Sequence, residues 1–492
     1  MKQEELLRER LKRYSASGTA AFHMPGHKRQ MECGLLRDFP NPFSIDITEI
    51  DGFDNLHHPE GILKDSMEWA AGVYGADHTY YLVNGSSCGI LSAIGAVMHP
   101  GETLLVSRNC HKSVYHGLIL NSLKPEYVYP QIIEKLGIQG GIKPEDVEKK
   151  LKEHPEIRSV LIVSPTYDGV VSDIRGIADV VHARGIPLIV DEAHGAHFPF
   201  GAGCFPESAI YCGADLVIQS LHKTLPSLTQ TAILHLRGER VSRSRLERCL
   251  QMYQSSSPSY LFMAGMERCL RFMEEGKGTE EGMTGGRSMM DQFYHRLVKL
   301  RKELGAMKHL RLLEEDQKGK NGVYDLDISK VIISTRGTGI NGEELGEWLR
   351  REYHLEMEMC AAEYVTAITT VMDTEEGLRR LRNALLEIDG KLSDRVESQD
   401  CGKKNQRYEL KPETVMSIAD GWEQADKKIS LEDSVGRISG EYIYLYPPGI
   451  PFVVPGEKIS QEVVDLVKRY QKCGYSVQGM ADQNCKEIRV VR

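Results

Sequence analysis

Four short segments carry side chains whose types and spacing could do chemistry together. Asp191-Glu192-Ala193-His194-Gly195 follows the apolar run Pro187–Val190. An acid at the tip of a buried strand is costly unless it meets a cation. A pyridinium nitrogen would be such a cation; a Walker-B-like acid or a helix cap is the plainer alternative. Ser220-Leu221-His222-Lys223-Thr224 follows Leu216–Gln219. Burial there would depress the Lys223 pKa and make its amine a nucleophile toward a carbonyl, although a single lysine after a strand is ordinarily a surface residue. Asn84-Gly85-Ser86-Ser87-Cys88-Gly89 follows Tyr80–Val83. Small and hydroxyl residues opening a helix suit an anion, because the free N–H groups and the helix dipole point at it; a simple capping turn would read the same. The segment is neither a dinucleotide fingerprint nor a P-loop. Arg108-Asn109-Cys110-His111-Lys112-Ser113 follows Thr103–Val106 and offers an imidazole that could stack on a ring, or merely start a surface helix.

These segments need a scaffold that brings strand ends together. From residue 61 to about 240, apolar and β-branched runs (Tyr80–Val83, Thr103–Val106, Ser159–Val163, Pro187–Val190, Leu216–Gln219) alternate with helical patterns at Cys88–Met98, Pro144–Leu151 and Ile174–Arg184. Alternation of this kind predicts an α/β unit with a mainly parallel sheet, whose ligands sit beyond the strand C-termini. An amphipathic helix is expected at 3–14, followed by irregular loops to residue 60. The large α/β domain should run over 61–305, with a flexible break at 276–286. A small α+β domain is expected over 306–390, with a strand at Val331–Ser334 and helices at Gly342–Tyr353 and Thr374–Asp389. A polar linker at 391–411 would lead to a C-terminal domain at 412–492, with a strand at Tyr442–Leu445 and a helix at Ser460–Lys472.

Composition narrows the class. The chain has 492 residues, 61 Lys and Arg against 70 Asp and Glu, and a net charge of −9. That balance argues against a nucleic-acid polymer as main partner. The 11 cysteines form no C-x-x-C pair, which points away from a zinc ribbon or a disulfide framework; no metal site is expected. The charged N-terminus has no apolar signal core, and no run of about 18 apolar residues occurs. A cytoplasmic, soluble enzyme with no membrane partner is the expectation.

A phosphate-type loop, then a strand-end Asp, then a strand-end Lys is the order found in fold-type I pyridoxal-phosphate enzymes, of aspartate-aminotransferase-like fold. More specifically, the chain resembles the bacterial ornithine/lysine/arginine decarboxylase family in its short form, without the N-terminal wing domain. The resemblance rests on His23-Met24-Pro25-Gly26-His27-Lys28, Asp46 to Gly61, the four loops above, Ser164-Pro165-Thr166-Tyr167-Asp168-Gly169, Ser255 to Tyr260, and Tyr446 to Glu457. It implies pyridoxal 5'-phosphate as cofactor, with Lys223 as the Schiff-base lysine, Asp191 on the pyridine nitrogen and His111 stacked on the ring. Gly85, Ser86, Ser87, Ser220 and His222 would hold the phosphate, and Ser255 would approach it from a neighbouring subunit. Ala193 would let the ring lie flat, and His194 would touch cofactor or substrate. The resemblance also implies a homodimer with a shared active site.

The reaction implied is decarboxylation of a basic L-amino acid, arginine or lysine before ornithine, with His222 or Lys223 returning the proton. The substrate's far cation needs acids, and Asp51, Glu60 and Glu457 are the candidates, each with solvated surface as its alternative. Two rival readings stay open. One is another fold-type I enzyme, an aminotransferase or a lyase, which would want a late Arg such as Arg379, Arg380 or Arg382. The other is a catalytically silent decarboxylase-like regulator.

Overall fold

The computed structural model describes residues 7–30, 39–275, 285–392, 410–445, 450–472 and 475–492. Its centre is a seven-stranded sheet built from β1 (His78–Leu82), β2 (Thr103–Ser107), β3 (Lys124–Val128), β4 (Ile157–Val163), β5 (Leu188–Asp191), β6 (Leu216–Gln219) and β7 (Ala232–Leu236). The spatial order is β1-β7-β6-β5-β4-β2-β3. Only β7 runs antiparallel to its neighbours. The C-terminal ends of β1, β2, β4, β5 and β6 therefore open on one edge, where the chemistry-bearing segments emerge.

Side-chain alternation explains why this sheet is buried on both faces. Leu104 and Val106, Leu161, Ile189, and Leu216 and Ile218 point to one layer of helices. Leu105, Val160 and Ile162, Leu188 and Val190, and Val217 point to the other. A period of two with both faces apolar is what a parallel strand between two helical layers requires. Helices Pro144–Glu153 and Ile174–His182 cover one face and start as their sequences suggest. Pro144 occupies the first turn, and the Asp173 carboxylate accepts from the N–H of Gly176 at 2.9 Å.

A second sheet contains β8 (Arg311–Leu312), β9 (Lys330–Ser334), β10 (Met359–Cys360) and β11 (Tyr364–Ile368), in the order β8-β9-β11-β10. Helices Gly342–Tyr353 and Glu375–Leu392 pack on it around a core of its own. The strand Ala20–Phe22 pairs in parallel with Leu355–Met357, so the N-terminal segment is stitched to this second unit. A third core surrounds Ile443–Leu445, Pro451–Val453 and helix Gln461–Lys472. Ile418 and Val454 from that unit are buried in the core of the large sheet.

Several expectations need correction. The N-terminal helix covers Leu7–Ser15, with Leu7 and Leu11 exposed on the single chain; residues 3–6 lie outside the described residues. Gly286 is helical, opening Gly286–Leu304, because the Cβ-less residue lies against the backbone of Phe272 and Met273. The rest of the expected break at 276–284 lies outside the described residues, as do 393–409 of the expected linker and 446–449 of the Tyr446–Glu457 motif. The antiparallel strand β7 was not foreseen. Its five residues are all buried and do not alternate with polar ones, and such a short apolar run is ambiguous between strand and helix.

Candidate active site

Asp191 is the last residue of β5, buried and in register with Ile218 of β6. Its Oδ1 accepts from the N–H of Ala193 at 3.1 Å. Burial raises its pKa, and the Lys223 cation opposes that rise. One turn beyond β6, Lys223 points its Nζ to Nε2 of His194 at 3.0 Å. Burial lowers the Lys223 pKa; Asp191 and Glu358 raise it, and Lys330 lowers it further. The loops after two adjacent strands thus bring a buried acid, a suppressed amine and a neutral imidazole together.

The hydroxyl cradle forms at the same edge. Gly85 adopts φ +75°, a left-handed conformation that a side chain would strain, and starts helix Gly85–Val97. Asn84 precedes the helix but makes no side-chain cap. The plain capping turn is therefore not what the residues do. Instead Asn84 Oδ1 accepts from the N–H of Ser255 at 3.0 Å, leaving the first N–H groups of the helix open to a ligand. Ser220 donates from Oγ to Ser86 Oγ at 3.0 Å, joining the β1 and β6 loops; Ser87 is exposed beside them. His222 pairs through Nδ1 with the carbonyl of Thr231 at 2.9 Å, so Nε2 is its free nitrogen. Burial pushes its pKa down to about 4.

His111 caps helix Lys112–Leu120, with Nδ1 accepting from the N–H of Ser113. Loss of water around the ring, with the Lys223 cation nearby, pushes its pKa down to about 4. The turn that carries His111 is held by Arg108, buried between Tyr115 and Tyr127.

His194 is buried, and its ring lies 4.8 Å from that of Tyr167. The Tyr167 hydroxyl donates to Glu358 Oε1, and Glu358 Oε2 accepts from the N–H of Met24 at 2.8 Å. The His23–Lys28 loop is wedged here. Gly26 N–H donates to the carbonyl of His222 at 2.7 Å, and Thr370 Oγ1 donates to the carbonyl of Gly26. A Cβ on Gly26 would come within 2.4 Å of the Leu225 carbonyl, so only glycine fits.

Behind the site lie Asp327, Lys330 and His197, all buried. Lys330 Nζ donates to Asp327 Oδ2 at 2.6 Å and reaches the His194 carbonyl at 3.4 Å. His197 Nε2 bonds the other Asp327 oxygen at 3.2 Å. Glu358, Tyr167, Lys28 and Lys330 had no role assigned from sequence. They are far apart in the chain, and only the seam between the two sheets unites them; Lys28 and Tyr167 lay inside quoted motifs, the signals available.

The acids expected to meet the substrate do not gather at Lys223. Glu457 is buried and its Oε2 accepts from Arg108 Nη2 at 2.9 Å. Arg108 holds that oxygen, the buried Oε1 has no hydrogen-bond partner, and no hydrogen bond or ion pair joins Glu457 to Lys223 among the described residues. Asp51 is exposed, and Glu60 is exposed and pairs with His58 at 3.1 Å. Neither has a hydrogen bond or ion pair to the Lys223 cluster among the described residues. In that segment Asp54 does the organising, taking the N–H groups of Asn55, Glu60, Gly61 and Leu63 at the start of helix Ile62–Tyr74. Ser255 stands beside Asn84 of its own chain, and its hydroxyl turns to the Ser257 carbonyl.

The described groups fit pyridoxal phosphate. A buried carboxylate with one backbone donor calls for a cationic ring nitrogen, and two facing hydroxyls at an open helix start call for a phosphate. Comparison with known proteins agrees. Residues 6–374 match the Orn/Lys/Arg decarboxylase major domain, and residues 399–483 match the C-terminal domain of the same family. The chain belongs to that family. An arginine decarboxylase of Halalkalibacterium halodurans is 34% identical over 96% of this chain and 94% of its own length. One from Bacillus subtilis is 33% identical over 98% and 96%. Lysine decarboxylase A from Pseudomonas aeruginosa superposes with a TM-score of 0.77 over 98% of this chain and 80% of that one, at 19% identity. The family's fold-type I α/β architecture is the one described above. Among the described residues no helix is long and apolar enough to cross a membrane.

Proposed function

We propose that the protein decarboxylates a basic L-amino acid, with L-arginine ahead of L-lysine and ornithine third, using pyridoxal phosphate held by Lys223. The single observation that carries this is the Lys223 amine, suppressed by burial, bonded to His194 and acted on by the Asp191 charge. The arginine decarboxylases that are about a third identical over nearly the whole chain support arginine as the first substrate to test.

When bound, the cofactor supplies an electron sink for the pair of electrons left as carbon dioxide departs. The remaining work falls to the chain. Asp191, buried at a strand end with Lys223 as the cation acting on it, would hold a proton on the ring nitrogen by charge. Ser86, Ser87, Ser220 and the open N–H groups at Gly85 hold the phosphate and fix the ring's position, while His222 closes that side. His111, on the neighbouring loop, would cover the ring, and the small side chain of Ala193 beside Asp191 would leave room for it. His194 holds Lys223 by its Nε2 and excludes water from the amine. Lys223 Nζ and His222 Nε2 are the two nitrogens that can return a proton to the product carbon.

The same reading assigns a cytoplasmic homodimer with a shared site, in which Ser255 and its exposed neighbours meet the second subunit's phosphate. It divides the chain into 61–305, 306–390 and 412–492, with 1–60 supplying active-site loops. An aminotransferase is disfavoured because the late arginines are occupied elsewhere. Arg379 pairs with Glu376, Arg380 bonds the carbonyls of Gly18, Tyr353 and His354, and Arg382 pairs with Glu303.

The test is a product assay on the cofactor-loaded protein with L-arginine, L-lysine and L-ornithine separately, following carbon dioxide and amine by mass, beside Lys223→Ala. Carbon dioxide and the matching amine from one substrate, absent in the variant, are expected. A keto acid instead would mean an aminotransferase. No turnover with a normal cofactor spectrum would leave the silent-regulator reading.

A further inference from the structure

We propose that Glu358 receives the distal cation of the substrate, with Tyr167 and Met24 aiming its carboxylate. This rests on the reading that the substrate is a basic amino acid.

The acids that could do this are few. Asp51 and Glu60 stand in solvent, and Glu457 is ion-paired with Arg108 at the seam with the C-terminal unit. Among the described residues, two carboxylates act on the Lys223 ammonium, Asp191 and Glu358. Asp191 lies at the end of β5 beneath the site. Glu358 approaches from the other unit, in the short link between Leu355–Met357 and β10, half-buried at the seam.

Its geometry suits a ligand cation. Oε1 accepts from the Tyr167 hydroxyl and Oε2 from the Met24 N–H at 2.8 Å. Each oxygen therefore has one protein donor, and an ionised carboxylate offers about four acceptor positions. The positions left over lie on two oxygens of one plane, which a guanidinium fork takes in pairs and an ammonium takes singly.

No protein cation fills that place. Among the described residues, no lysine or arginine lies within ion-pair distance of Glu358. Lys28 senses its charge, but the Lys28 ammonium is taken by the carbonyls of His23 at 2.9 Å and Ile368 at 2.8 Å, with Asp373 at 3.8 Å. Lys330 is taken by Asp327. A half-buried carboxylate at a seam, aimed by two donors and without an ion-pair partner among the described residues, is placed to take a cation.

A continuous wall connects it to the reacting amine. Lys223 Nζ lies 3.0 Å from His194 Nε2, the His194 ring lies against the Tyr167 ring, and the Tyr167 hydroxyl rests on Glu358. An imidazole and a phenol form its middle, a surface along which the methylene stem of arginine or lysine can lie while its two ends reach Lys223 and Glu358.

The experiment compares cofactor-loaded wild type with Glu358→Gln, using L-arginine and its neutral isostere L-citrulline. In Glu358→Gln, kcat/KM for arginine should fall on the order of 100-fold, while the citrulline rate stays near its wild-type value. Calorimetry of agmatine binding to the same proteins should show a parallel loss. Tyr167→Phe, which removes an aiming donor but keeps the charge, should retain the preference for arginine over citrulline. Should Glu358→Gln not fold, Glu358→Asp tests the same contact. Its shorter acid should shift the arginine-to-lysine ratio toward the longer substrate, which a merely structural role would not do. Equal losses for arginine and citrulline, or unchanged agmatine binding, would overturn the assignment. A wild type that turns over no basic amino acid would sink the functional reading instead. Agmatine binding that depends on Glu358 would still uphold the cation site in that case, and its absence would remove it.

Discussion

Glu457 and Arg108 are 349 residues apart in the chain, yet their side chains meet at 2.9 Å in the interior. Arg108 opens the turn after β2, three residues before His111. Its Nη1 donates to the Tyr115 hydroxyl, and that hydroxyl donates to the Arg108 carbonyl, both at 3.1 Å. The C-terminal unit thus reaches through Glu457 to the turn that leads to His111. Val454 N–H, which donates to the same carboxylate at 2.9 Å, fixes it from its own side.

Glu457→Gln should therefore act on cofactor as well as on stability. Removing one charge of a buried pair leaves the other uncompensated, a cost of about 3–5 kcal/mol. The expected result is a lower denaturation midpoint together with weaker pyridoxal phosphate retention on dialysis. A double variant, Arg108→Met with Glu457→Met, should recover midpoint but not retention, since the Arg108 contacts that shape the turn are gone. Retention unchanged in Glu457→Gln would mean that the C-terminal unit does not govern His111.

Gly26→Ala tests the wedge formed by the His23–Lys28 loop. The new methyl would stand 2.4 Å from a backbone oxygen of Leu225, two residues past Lys223. Backbone cannot turn aside as a flexible side chain can, so one of the two loops must shift. Overpacking of this kind costs about 1–3 kcal/mol. Because Gly26 also bonds the carbonyl of His222, the shift should displace Lys223. Cofactor affinity measured by absorbance titration should drop roughly 10-fold or more, with near-normal secondary structure by circular dichroism.

The strands and the loops that follow them were legible because apolar runs of the large sheet end in residues with no structural reason to be there. Asp191, Lys223, Ser86 and Ser220 were found that way, and they do converge. The acids were not legible. Asp51, Glu60 and Glu457 are alike in sequence, and only burial and a partner separate a solvated acid from a paired one. Glu358 lies in a run, Glu356-Met357-Glu358-Met359, whose alternation reads as an ordinary strand with polar residues outward. Its partners Tyr167 and Met24 come from two other units, so no local pattern could point to it.

Lys330→Met should move the chemistry of Lys223 without touching it. Lys330 is buried, paired with Asp327, and lies behind His194, where its charge lowers the Lys223 pKa. Loss of that charge removes a repulsion, so the Lys223 pKa should rise. In the loaded enzyme, the pH titration of the visible cofactor band should shift to higher pH, and the thermal midpoint should fall because buried Asp327 loses its lysine and keeps only His197 and the Ser329 N–H as partners. Asp327→Asn supplies the contrast. It keeps the Lys330 charge but strips its partner, so the band should titrate at lower pH than in wild type.

Stability should carry two opposed pH signatures from one buried chain of polar groups. Glu192 accepts from Ser208 Oγ and Gln219 Nε2, both at 2.6 Å, and from the N–H of Ala209 at 2.8 Å. Gln219 Oε1 faces His235 Nε2, and His235 Nδ1 pairs with Thr79 Oγ1. Burial pushes Glu192 up to about 7 and His235 down to about 3. Between the ordinary carboxylate pKa and about 7, folded Glu192 holds a proton that the unfolded chain releases, so this group's stabilisation falls as pH rises. Folded His235 stays neutral where the unfolded chain takes up a proton, so its contribution is lost as pH falls below about 6.5. Each slope is at most about 1.4 kcal/mol per pH unit. Denaturation midpoints measured from pH 5 to 8 should therefore diverge between variants. Relative to wild type, Glu192→Gln should become less destabilised as pH rises, and His235→Gln less destabilised as pH falls. Parallel curves for all three proteins would mean that neither group changes its protonation on folding.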